Sequence, residues 1–171
     1  MTTVINLFGG PGAGKSTLAA LLFHHLKIRG LSCEMALEYA KDKVWEESYS
    51  TLHNQIYVFC KQHHRMWRLN DKVDFIITDS PLLMSIEYDS TNNSIFRELV
   101  LFEYNKYNNI NFFIERSDTY QTEGRIQTLE EAIKIDNSIK DTLDNLHIPY
   151  TSIKQGEEGV DNIINMILTK K

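Results

Sequence analysis

The run Gly9-Gly10-Pro11-Gly12-Ala13-Gly14-Lys15-Ser16-Thr17 has the spacing GxxxxGK followed by a hydroxyl residue, and it stands between a short apolar run and an amphipathic one. Each residue type has a task in such a loop. Glycines let the backbone wrap closely round a phosphate and turn its N–H groups inward, adding to the positive end of the helix that follows. Gly9, Gly10, Gly12, Ala13, Gly14 and Thr17 would therefore line the phosphates of a nucleotide. Lys15 would bring a mobile positive charge to the β- and γ-phosphates, and Ser16 a hydroxyl ligand for Mg2+. A chance glycine-rich turn is the bland alternative, and the strand–loop–helix context argues against it.

Two acidic positions follow strand-like runs. Asp79-Ser80-Pro81 closes the apolar run Val73–Thr78. A carboxylate at the end of a second central strand can lie beside the phosphate loop and hold Mg2+ directly or through water; otherwise Asp79 caps the next helix. Glu38 opens the polar stretch Glu38-Tyr39-Ala40-Lys41-Asp42 after the run Cys33–Leu37. There it could take the proton of an acceptor hydroxyl during attack on the γ-phosphate, the alternative being a solvated loop.

Further polar groups suggest the acceptor side. Gln55 and Gln62 can share a helical stripe with Phe59, offering amides to the edge of a base. Arg65 could fix a base edge or a phosphate, although a surface ion pair explains it almost as well. Phe59 and Trp67 taken singly are core residues. Beyond the run Ile110–Ile114, Arg116 and Arg125 flank a polar stretch with Gly124 as its hinge. From a lid over about residues 116–128 they would neutralise charge on the transferred phosphoryl group. As solvated loop charges they would do nothing.

The elements that must position these groups alternate along the chain. Strand-length runs occur at Val4–Phe8, Cys33–Leu37, Val73–Thr78, Ile110–Ile114 and Tyr150–Ile153. Helical patterns lie between them at Lys15–Ile28, about Ser50 to Leu69, Asn93–Tyr107, Thr128–Leu146 and Val160–Leu168. Thr128 with Glu131 has the spacing of a capping box. The alternation predicts one α/β domain over residues 1–171: a five-stranded parallel sheet in three layers, helices on both faces, ligands at the carboxyl ends of the strands.

Composition narrows the partners. A net charge of −5 counts mildly against extended grip on nucleic acid, without excluding a local basic patch. Cys33 and Cys60 fall in apolar segments and read as buried free thiols of a reducing cytoplasm. No leader or membrane-spanning run is visible, so a cytoplasmic protein with no membrane partner is expected.

Gly9–Ser16, the Asp79-Ser80-Pro81 strand end and the Arg116–Arg125 stretch together resemble the P-loop nucleoside and nucleotide kinases. The similarity extends to short phage-type P-loop proteins labelled AAA-family ATPases, through Glu38–Asp42, Asp79-Ser80-Pro81-Leu82 and Gly124–Thr128. Relatives of that kind include ribosylnicotinamide-type kinases and phage kinases acting on 5-hydroxymethyluracil in DNA. The resemblance implies an ATP- and Mg2+-dependent kinase in the host cytoplasm of a phage, with Lys15, Glu38, Asp79, Arg116 and Arg125 as its catalytic set. Its acceptor would be a nucleoside, a nucleotide or a hydroxymethylated base, with DNA a candidate substrate and a homodimer a candidate assembly. Glu38 with Gln55 or Gln62 matches the acid and base-reading Gln of deoxynucleoside kinases, but Asp79-Ser80 departs from their Glu-Arg-Ser. The competing reading is a P-loop NTPase that acts as a nucleotide-dependent regulatory or binding protein.

Overall fold

Every residue from Val4 to Phe8 is buried, which only a strand flanked and covered on all sides can achieve. In the computed structural model, which describes residues 2–116 and 128–169, that run is the central strand β1 (Thr3–Phe8). It is joined by β2 (Cys33–Ala36), β3 (Phe75–Thr78), β4 (Asn108–Ile114) and β5 (Thr151–Ile153) in the order β2-β3-β1-β4-β5. All four pairings are parallel. This is the three-layer α/β arrangement that the sequence predicts.

The pleat of β1 sorts its side chains between two cores. Ile5 and Leu7 point to one face, where α1 (Lys15–Ile28) and α8 (Gly156–Leu168) contribute Leu18, Leu22, Ile163 and Ile167. Val4 and Phe8 point to the other. There they meet Phe59 of α4 (Gln55–Trp67), Phe96 and Val100 of α6 (Ser94–Tyr104), and Ile139 and Leu143 of α7 (Leu129–Asn145).

Register brings the functional strand ends together. Thr78 of β3 pairs with Asn6 of β1 on one side and Ala36 of β2 on the other. The residues that follow β2, β3 and β1 therefore emerge side by side at one edge, with those following β4 and β5 continuing the row.

Three expectations about elements change. The helix expected from about Ser50 to Leu69 is two pieces, α3 (Tyr49–Leu52) and α4. Asn54 makes the break, its side-chain oxygen accepting the N–H of Tyr57 at 3.1 Å as the cap of α4. The polar stretch after Glu38 is not a loop but α2 (Tyr39–Trp45), and a further short helix, α5 (Met84–Glu87), follows Pro81. Cys60 is exposed on the outer face of α4, not buried, because Phe59, Gln62 and Met66 take the inner face; Cys33 is buried.

The capping box is present. Thr128 Oγ1 accepts the N–H of Glu131 at 3.3 Å, and Glu131 Oε2 accepts the N–H of Thr128 at 2.7 Å. Thr128→Ala should cost about 1 kcal/mol. Differential scanning calorimetry should then show a fall in Tm of about 2–4 °C.

Candidate active site

The loop between β1 and α1 is built to receive negative charge. Gly14 caps α1 in the left-handed region, at φ 85°, where a side chain would be strained, and a Cβ there would also stand 3.0 Å from Gln155 Cδ. No side chain caps this helix, and no acidic residue lies in its first turn. The N–H groups of Lys15, Ser16 and Thr17 therefore open the helix without intrahelical partners, at the positive end of its dipole. These three residues line a cleft of about 520 Å³.

Lys15 reaches across the loop, its Nζ donating to the carbonyls of Gly9 at 2.6 Å and Gly10 at 3.0 Å. Burial holds its pKa below the ordinary value, and the nearby carboxylates of Glu38, Asp79 and Asp136 work the other way. A phosphate at the loop would act in the same sense as those carboxylates.

The strand-end acids meet as the register requires. Asp79 is buried, and its Oδ1 accepts the backbone N–H of Glu38 at 2.9 Å. Glu38 lines the cleft opposite the loop. Burial raises its pKa above the usual carboxylate range, and Lys15 opposes the shift. Ser80, Ser85, Met84 and Tyr88 extend the same wall. The Tyr88 phenol is pushed far up by burial, with the Glu38 charge adding to the effect.

Gln62 and Arg65 are held by groups of the protein itself. Gln62 is buried against the sheet. Its Oε1 accepts the N–H of Tyr39 at 2.9 Å and its Nε2 donates to the carbonyl of Ala36 at 3.3 Å. It thus fastens the start of α2 to the end of β2 while still bordering the cleft. Arg65 is not a cleft residue: it pairs with Asp42, donates to the carbonyl of Leu37 at 3.0 Å, and lies 5.4 Å from the Tyr39 ring centre. The ion-pair alternative describes it. Gln55 does line the cleft, its Nε2 donating to the carbonyl of Leu52 at 2.7 Å.

Arg116 does not stand over the cleft as a lid residue. It follows β4 and donates to Asp136 Oδ2 through Nε at 2.8 Å, and to the carbonyl of Pro11 through Nη1 at 2.8 Å. Arg125 and Gly124 lie outside the described residues.

Sequence reasoning missed Asp136 and the aromatic rim. Asp136 sits on the inner stripe of α7 with Ala132, Ile139 and Leu143. An acid at core spacing on an apolar face was the available signal. Trp45 of α2 and Tyr88, both lining the cleft, carried no pattern that set them apart from ordinary surface aromatics.

A family profile described as an AAA domain matches residues 4–158, from within the β1 strand to the first turn of α8. No curated protein sequence matches the chain. Among solved structures, a NadR protein in complex with NR superimposes with a TM-score of 0.69 at 14% identity. The alignment covers 92% of this chain and 46% of that one, so the chain spans less than half the length of that neighbour. At this identity the likeness is one of fold. No helix among the described residues is long and apolar enough to cross a membrane.

Proposed function

The chain belongs to the AAA-domain family, and from that premise we propose that it is an ATP- and Mg2+-dependent kinase. It transfers the γ-phosphoryl group to a hydroxyl or phosphate of a nucleoside, a nucleotide or a modified nucleobase, 5-hydroxymethyluracil in DNA among them. One observation carries the reading. The phosphate loop and the Glu38 wall line a single cleft of about 520 Å³ that continues past Lys41, Trp45 and Gln55. A nucleotide switch needs only the first part of that cleft; a kinase needs room for an acceptor beside the γ-phosphate.

In this reading the N–H groups of Gly12 to Thr17 hold the β- and γ-phosphates, and the Lys15 ammonium leaves its carbonyl partners for the phosphate oxygens. Ser16 would offer Mg2+ its hydroxyl and Asp79 the carboxylate oxygen that the Glu38 N–H does not occupy, leaving the remaining positions to phosphate and water, as that ion prefers. Bound there, Mg2+ would neutralise charge developing on the phosphates. Glu38 takes the proton from the acceptor oxygen as that oxygen bonds to Pγ. The bond from Pγ to the β–γ bridging oxygen breaks, leaving ADP and the phosphorylated acceptor.

The test is incubation with γ-labelled ATP and a panel of nucleosides, nucleotides, nicotinamide riboside and hydroxymethylated DNA. Nicotinamide riboside belongs in it because the structural neighbour binds NR. Label on any acceptor is the expected result. Phosphate release with no labelled acceptor would instead support a regulatory NTPase, and neither outcome would leave a binding protein.

A further inference from the structure

Asp136 lies 126 residues from Gly10 in sequence, yet its carboxylate reaches the phosphate loop from the opposite layer. Its Oδ1 accepts the N–H of Gly10 at 2.5 Å, and its Oδ2 accepts from Arg116 Nε at 2.8 Å and forms an ion pair with the guanidinium. Arg116 in turn grips the carbonyl of Pro11 at 2.8 Å. One carboxylate and one guanidinium therefore hold two consecutive residues of the loop, an N–H at one and a C=O at the next. The side chains are largely buried, each 11% exposed.

The close approach of α7 leaves no slack in this arrangement. A Cβ on Gly10 would stand 2.8 Å from the carbonyl oxygen of Ala132 and 2.9 Å from Asp136 Oδ1, which explains a glycine at a position whose backbone needs no positive φ. Gly10 also bears on Lys15, whose Nζ donates to its carbonyl at 3.0 Å and to that of Gly9. The charge of Asp136 also reaches the Lys15 ammonium.

We propose that Asp136, acting with Arg116, is a positioning residue for nucleotide binding. It fixes the start of the phosphate loop from outside, so that Gly12 to Thr17 present their N–H groups in a ready-made cradle. The inference rests on the nucleotide-binding half of the proposed function and adds a residue that neither phosphate nor acceptor touches. Pre-organisation of this kind acts on affinity: a loop that must be ordered on binding takes that cost out of the binding free energy.

The experiment measures Asp136→Asn and Asp136→Glu in the full chain against wild type. The Asn variant keeps an acceptor for Gly10 but loses the charge that holds Arg116. The Glu variant keeps the charge on a longer arm. Isothermal titration with Mg·ATP should show affinity weakened about tenfold or more for Asn, the scale of a lost charge-assisted hydrogen bond, with partial recovery for Glu. In turnover assays KM for ATP should rise more than kcat falls. A merely structural role would lower Tm but leave ATP affinity unchanged well below the transition. An affinity within about twofold of wild type in a folded Asn variant would overturn the proposal. If that variant does not fold, Arg116→Lys supplies the same comparison: weakened ATP affinity supports the proposal and unchanged affinity defeats it. Failure of the wild-type protein to bind ATP would instead defeat the proposed function.

Discussion

Lys15→Ala should abolish phosphoryl transfer, lowering kcat by about a thousandfold or to the limit of detection. Glu38, Asp79 and Asp136 all act on the Lys15 ammonium, so the loop sits in a strongly negative surrounding. The other cation acting on that ammonium is Arg116, and it is bound to Asp136 and to the carbonyl of Pro11. Without Lys15 the incoming triphosphate meets these carboxylates without the ammonium that offsets them, so ATP affinity falls as well. The charge must also be lost from the transition state, where the β–γ bridging oxygen gains negative charge as its bond to Pγ breaks. A rapid-quench assay with labelled ATP reads the rate, and circular dichroism checks the fold. Turnover within about tenfold of wild type would remove Lys15 from the mechanism. Lys15→Arg should restore little, because a buried site shaped for a slender ammonium does not admit a planar fork.

How much of this was readable in the sequence depends on the range of the interaction. The phosphate loop is local: eight consecutive residues set its backbone, and the helix it opens begins and ends where the sequence predicts, at Lys15 and Ile28. Glu38 and Asp79 were readable one step further out, because a parallel sheet brings the carboxyl ends of its strands to one edge. The contact between them, the Glu38 N–H on Asp79 Oδ1, needs the pairing of Ala36 with Thr78 and so needs the sheet order. Gln62 and Arg65 show what residue type alone leaves out. Their types suggested a ligand, but the chain supplied nearer partners: the N–H of Tyr39 for one, and Asp42 with the carbonyl of Leu37 for the other. A polar side chain on a helix cannot be assigned to solute or scaffold until the backbone groups within its reach are known. Arg116 was read as a lid charge, but it is held by Asp136, which lies 20 residues further on.

Glu38→Gln should lower kcat by about 10²–10⁴-fold, the usual contribution of a positioned general base. KM for ATP should stay within about threefold of wild type, since the donor phosphates are held by Lys15 and the loop and not by Glu38. The pH profile gives the sharper test. Burial raises the Glu38 pKa above its ordinary 4.5, by more than Lys15 lowers it. The base works only when ionised, so the wild-type rate should rise with pH through the raised value and level off above it. In the Gln variant that acidic limb should vanish from the residual rate. Stability should move the other way. A carboxyl whose folded-state pKa is raised contributes most below its unfolded pKa, and that contribution is lost as pH rises through the folded value. Above that raised value the wild-type chain therefore carries a charge that burial disfavours, so there Glu38→Gln should melt no lower than wild type and should lose its activity all the same. A single-turnover rate within about threefold of wild type, with the acidic limb intact, would take the base assignment away from Glu38. That pairing of a stability neutral or improved with a chemistry lost is what separates a reacting carboxylate from one that merely starts a helix. As the residue preceding α2, Glu38 provides no side-chain cap hydrogen bond to that helix, so a purely structural role would leave the rate of the Gln variant unchanged.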